Sequence, residues 1–143
     1  MTLPVWMLLG FATWTVLLLL ATVGIYRWSR ILTGRVPIRE FRTDEVEGKD
    51  WYKRSMRAHA NCVENLPVFG AIVFALYVGD VANATVNVVS VAILAARIMQ
   101  SLVHVGLVQT NTVVSIRFGL FFVQIVGFLW LVAIIVANLS SST

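Results

Sequence analysis

The stretch Arg57-Ala58-His59-Ala60-Asn61-Cys62-Val63-Glu64-Asn65-Leu66-Pro67-Val68-Phe69 leads into an apolar run from Gly70 to Gly79. Taken together the two are long enough to cross a membrane. Yet the first half carries Arg57, Asn61, Glu64 and Asn65. Arg57, Asn61 and Glu64 stand at i, i+4 and i+7, so on a helix they share one face. A carboxylate about one turn inside a bilayer is expensive and is expected to face protein or a water-filled cavity. Two readings are open at this point. The face is a polar clamp between helices, or it is one wall of a ligand site.

Working outward, the whole chain is apolar. Of its 143 residues 59% are hydrophobic and only 13% charged, with mean hydropathy +0.85. A soluble domain carries about 25% charged residues, so the composition is that of a single integral membrane domain. The formal charge is +4. Nine of the eleven Lys and Arg fall between Arg27 and Arg57, as expected of a cytoplasmic loop rather than a nucleic-acid-binding surface. Cys62 is the single cysteine, which excludes an intrachain disulfide and a thiolate metal cluster. The two histidines offer no metal-site spacing.

Leu3 to Tyr26 is free of charge and exceeds the roughly 20 residues needed to span hydrocarbon. It lacks a basic leader, and its run is too long for the core of a signal peptide. It therefore reads as a first membrane helix over about 3–26, with Trp6 and Trp28 near its ends as interfacial anchors. Residues 27–56 read as a cytosolic loop that also holds five acidic residues, with Gly34 and Pro37 interrupting any helix. The pattern then predicts helices at about 57–79, 84–108 and 113–138. Pro67 lies inside the second, where it removes a backbone donor. Short hairpins make this an all-α, four-transmembrane-helix up-down bundle. The basic flank places both termini outside and the long loop inside.

The third predicted helix carries Arg97, Ser101 and His104 at i, i+4, i+7, with Gln100 beside them. Arg97 falls near mid-membrane, where a basic side chain does not stay facing lipid. Glu64 is the only carboxylate in any predicted span, so it is the expected partner of Arg97. Arg117 opens the fourth helix, and Gln124 lies seven residues on along the same face. Arg57, Asn61, Glu64, His104 and Arg117 thus approach one end of the bundle from three helices. Arginines bind carboxylates bidentately, and a carboxylate holds an ammonium group. A ligand with two carboxylates and one amine suits the set, and glutathione is such a ligand.

The pattern Arg57-x-x-x-Asn61-x-x-Glu64-Asn65-x-Pro67-x-Phe69 resembles the second-helix signature of the MAPEG proteins, the membrane-associated proteins in eicosanoid and glutathione metabolism. The order of parts is similar over nearly the whole chain. Leu32-Thr33-Gly34-Arg35-Val36 ends the first helix, Ala96-Arg97 lies in the third, and Ser115-Ile116-Arg117 opens the fourth. Thr33-Gly34-Arg35-Val36 and Arg57-Ala58-His59 look closest to the branch of microsomal prostaglandin E synthase and microsomal glutathione transferase. The compact chain points to a bacterial-type member of an inner membrane.

The resemblance implies a homotrimer that holds glutathione between subunits, open to the cytosol, with a lipophilic second substrate arriving from membrane lipid. Carried over residue by residue, it implies that Arg57, Asn61 and Glu64 bind the tripeptide; His104, standing where relatives often carry tyrosine, either substitutes as a donor to it or packs between helices. It gives Arg35 or Arg39 of the neighbouring subunit a carboxylate contact, and Arg117 the thiolate. The implied activity is that of a glutathione transferase or peroxidase acting on lipophilic electrophiles or lipid hydroperoxides. This sequence departs from the pattern at three places. Gln100 and His104 stand where relatives often carry histidine and tyrosine, and Phe118 stands where they often carry Ser or Thr. A trimer that binds a lipid or another thiol without catalysis, and a purely structural bundle, are the alternatives.

Overall fold

Hydropathy along the chain becomes helix in a computed structural model that describes residues 1–34 and 49–142. Helix α1 spans Leu3–Leu18, a π-helical segment follows over Leu19–Gly24, and α2 completes the first span over Ile25–Leu32. Then come α3 (Asp50–Val78), α4 (Ala84–Gly106) and α5 (Asn111–Ser141). Among the described residues four helical stretches are long and apolar enough to cross a membrane: Leu3–Leu32, Asp50–Val78, Ala84–Gly106 and Asn111–Ser141. The protein is an integral, multi-pass membrane protein of all-helical architecture.

The first two spans are longer than the hydropathy implies. The first runs past Arg27 to Leu32, and α3 begins at Asp50 rather than near residue 57. Charge marks where hydrocarbon ends, but a helix continues wherever its side chains find partners. Here Tyr26 stacks on Tyr52 at 4.1 Å between ring centroids, and Trp51 lies 6.4 Å from Tyr26. Arg27 Nε donates to the Tyr52 hydroxyl at 2.8 Å, and the Arg30 guanidinium lies 4.8 Å from the centre of the Tyr26 ring. This aromatic and cationic knot extends both helices beyond their apolar cores. Arg35 and Arg39 lie outside the described residues.

Spans consecutive in the chain run antiparallel. The start of α3 meets the end of α2 through Arg27 and Tyr52, and the end of α4 through Arg54, whose Nε donates to the Val105 carbonyl at 3.4 Å. Two caps start the last two helices. Asn83 accepts from the Val86 amide at 2.9 Å, and Thr110 accepts from the Val113 amide at 3.2 Å. Each satisfies a donor that the first helical turn leaves open. Between α3 and α4 the chain turns at Asp80 with φ 48°, a left-handed conformation that Asp tolerates better than most residues.

The core is an aromatic column. Phe11 of α1, Phe69 of α3 and Phe128 of α5 stand in series at 5.8 and 6.0 Å, amid Ile72, Val73, Ile93 and Leu131. Helix α5 lies closest to α4, and Gly127 makes this possible. A Cβ there would meet Ile93 Cγ1 at 2.8 Å. Pro67 sits inside α3, which remains one helix through it.

Candidate functional site

A cavity of about 310 Å³ opens where α3, α4 and α5 meet, lined by Asn61, Gln100, Gln109, Val114, Arg117, Phe118 and Phe121. It falls at the lower end of the size range of small-molecule sites. The geometry that shapes it starts with α5. Thr110 caps this helix, which sets Arg117 in its second turn. Val114, Arg117, Phe118 and Phe121 then share one face at i, i+3, i+4 and i+7.

The Arg117 side chain is half-buried, and its Nε is buried without a hydrogen-bond partner. Asn61 reaches the same cavity from α3 and Gln100 from α4. Gln100 is held by an amide ladder. Gln124, 0% exposed, donates from Nε2 to Gln100 Oε1 at 3.0 Å and to the Leu120 carbonyl at 3.0 Å. Gln100 Nε2 in turn donates to the Arg117 carbonyl at 3.3 Å.

The remaining expected site residues take different positions. Arg57 is exposed on α3, one turn before Asn61. His104 is buried, 3% exposed, within the electrostatic reach of Arg54, Arg57 and Arg117. Arg57 and Arg117 are near enough to repel each other. The end of the bundle is therefore a concentrated positive region beside a cavity, an arrangement that attracts anions. Glu64 is exposed and does not line the cavity.

The expected Glu64–Arg97 pair does not form: no ion pair joins them among the described residues. Arg97 is 1% exposed and turns inward instead, its guanidinium 5.5 Å from the centre of the Phe11 ring. Its Nε and Nη2 have no hydrogen-bond partner. Its carbonyl accepts from the Ser101 hydroxyl, which lies 3.4 Å from Cys62 Sγ. The physical reason is angular. Cys62, not Glu64, is the α3 residue turned toward α4 at this depth, and Glu64 lies two positions on, close to the opposite side of the helix.

Gln124 stands on the Arg117 face that the sequence marks, whereas Gln109, Val114 and Phe121 carry no chemical motif and a reading by motif passes over them. The helical spacing counted from Arg117, which already marks Gln124, is the signal that finds Val114 and Phe121 on α5.

Four membrane-spanning helices, with a largely apolar cavity that holds Asn61, Gln100 and Arg117 at one end, define a multi-pass membrane bundle. The chain belongs to the MAPEG family, whose family model matches residues 4–137. Membership places it among membrane proteins of glutathione or eicosanoid metabolism, whose members generally use glutathione. No curated protein matches the chain, and no solved structure does.

Proposed function

We propose that the protein is a glutathione-dependent membrane transferase or peroxidase acting on lipophilic electrophiles or lipid hydroperoxides. The observation that carries this reading is the convergence of Asn61, Gln100 and Arg117, from three helices, on one cavity, where Arg117 Nε is buried and unpartnered. A free thiol has a pKa of about 8.5, and a cation beside it in a site of low dielectric constant favours the thiolate. Arg117 supplies that cation. Asn61 orients the peptide from the cavity wall, and Arg57, exposed one turn before it, meets a carboxylate. His104 is buried and adds only positive surroundings, and Glu64, outside this cavity, holds the ammonium group where a neighbouring copy closes over its face.

The chemistry balances simply. In conjugation the thiol proton leaves to solvent, the sulfur lone pair forms the new carbon–sulfur bond, and the leaving group departs with its bonding electrons. In hydroperoxide reduction the thiolate attacks the terminal peroxide oxygen and alcohol is released. A second glutathione then reduces the sulfenic acid, giving glutathione disulfide and water. Phe118 and Phe121 give the cavity an apolar side suited to a lipophilic co-substrate.

The exposure of Glu64 inside a membrane-spanning helix supports assembly, because a carboxylate left against hydrocarbon is costly. In the proposed homotrimer a neighbouring copy covers this face and brings Arg35 or Arg39 to the ligand. The orientation proposed has both termini outside and the cavity opening to the cytosol, in an inner membrane for a bacterial-type member. The purely structural reading loses its main support, since Glu64 and Arg97 do not pair.

Glutathione titrated into detergent-purified protein tests the proposal, with absorbance near 240 nm reporting thiolate. The expected result is a saturable signal that Arg117→Ala removes while oligomer size is retained. Binding without a thiolate signal would replace the enzyme with a non-catalytic carrier.

A further inference from the structure

We infer that Gln124 is a positioning residue, locking the Gln100 carboxamide so that the α4 wall of the cavity offers a ligand an N–H donor and not a carbonyl acceptor. Donor and acceptor parity fixes both amides. A backbone carbonyl only accepts, and a carboxamide has one end that donates and one that accepts. The ladder is bounded by two carbonyls, Leu120 O beside Gln124 and Arg117 O beside Gln100. Gln100 must turn its NH2 to the Arg117 carbonyl, which leaves its oxygen toward Gln124. Gln124 must then turn its NH2 to that oxygen, and the same NH2 reaches the Leu120 carbonyl. Flipping either amide sets oxygen against oxygen.

Gln124 is fully buried and Gln100 is 5% exposed, so water does not readily relieve such a clash. The arrangement leaves Gln124 Oε1 buried without a partner. That is an uncommon state for a buried acceptor and one the ladder's polarity imposes. Gln100 lines the cavity and spends one N–H on Arg117 O, so its second N–H is available to a ligand. The same bond ties the Arg117 backbone to α4. Gln100 and Arg117 then form a donor-only wall, matched to a thiolate sulfur or a carboxylate and mismatched to an ammonium group, which has no acceptor. The consequence for the thiol rests on the glutathione reading above; the amide geometry does not.

The chain holds three glutamines, Gln100, Gln109 and Gln124, so selective ¹⁵N-glutamine labelling resolves the ladder, with exposed Gln109 as internal control. In the ligand-free parent, the Gln100 and Gln124 side-chain amides should exchange at least about tenfold slower than that of Gln109. Equal rates overturn the ladder without any variant having to fold. Gln124→Met should then speed Gln100 exchange. With glutathione bound it should lower the thiol ionisation constant about tenfold with little change in affinity at low pH. Gln100→Met should do the same, and the double variant no more. Gln124→Met leaving the thiolate titration unchanged while Gln100→Met shifts it overturns the positioning role. If the parent binds no glutathione, the proposed function fails, and the exchange rates in the parent and Gln124→Met still decide the ladder.

Discussion

Gly127→Ala is the sharpest probe of how α4 and α5 hold the site. The new methyl would stand 2.8 Å from Ile93 Cγ1, 3.1 Å from Ile93 Cδ1 and 3.5 Å from Val89 Cγ1. The nearest of these atoms lies close to the Ile93 backbone, and Ile93 is 0% exposed, so it has no room to swing away. Overpacking of this kind costs roughly 1–3 kcal/mol. Against it stands the gain of about 1 kcal/mol when alanine replaces glycine within a helix. The expected net is a loss of about 1 kcal/mol in unfolding free energy, measured by tryptophan fluorescence in mixed micelles.

Gly119→Ala supplies the control, since nothing lies within 4 Å of a Cβ there; it should be neutral or stabilising by up to about 1 kcal/mol. Ile93→Ala alone should cost roughly 2–5 kcal/mol through the cavity it opens. The methyl of Gly127→Ala grows into that cavity, so the double variant should cost at least about 1 kcal/mol less than the sum. Additivity within about 0.5 kcal/mol, or a Gly127→Ala variant as stable as Gly119→Ala, would refute this account of the seam.

Other perturbations have defined outcomes. Because no contact ion pair joins Glu64 and Arg97 although the Glu64 charge still reaches Arg97, Glu64→Gln and Arg97→Gln should couple by less than about 1 kcal/mol in a double-mutant cycle, and coupling of about 3 kcal/mol or more would mean that the two groups touch. Tyr52→Phe removes the acceptor of Arg27 Nε at 2.8 Å and should cost about 1.5 kcal/mol, seen as faster proteolysis at the α2–α3 junction. Asn83→Ala should cost about 1 kcal/mol through loss of the α4 cap, and Asn83→Ser should restore most of it. Asn61→Ala should weaken glutathione binding measured by calorimetry while leaving thermal stability near that of the parent, as a half-buried group lining the cavity would.

The number and class of the spans, and the family, were legible in the sequence because both depend on local quantities. Hydropathy over some twenty residues decides whether a segment enters the membrane, and the Arg57-to-Phe69 spacing survives whatever the packing does. The same spacing picked out Asn61, and the position of Arg117 near the start of a helix brought it to the same end of the bundle, where both line one cavity.

What the helices do to one another was decided only in three dimensions. Charge balance alone paired Glu64 with Arg97, because counting charges ignores direction. The rotation of α3 about its axis turns Cys62 toward α4 and leaves Glu64 outside, while Arg97 settles against Phe11. The extended first and second spans, the contact of Ile93 with Gly127, and the amide ladder from Gln124 to the Arg117 carbonyl have the same origin. Each depends on the distance and rotation between two helices far apart in the chain, and no local pattern encodes those quantities.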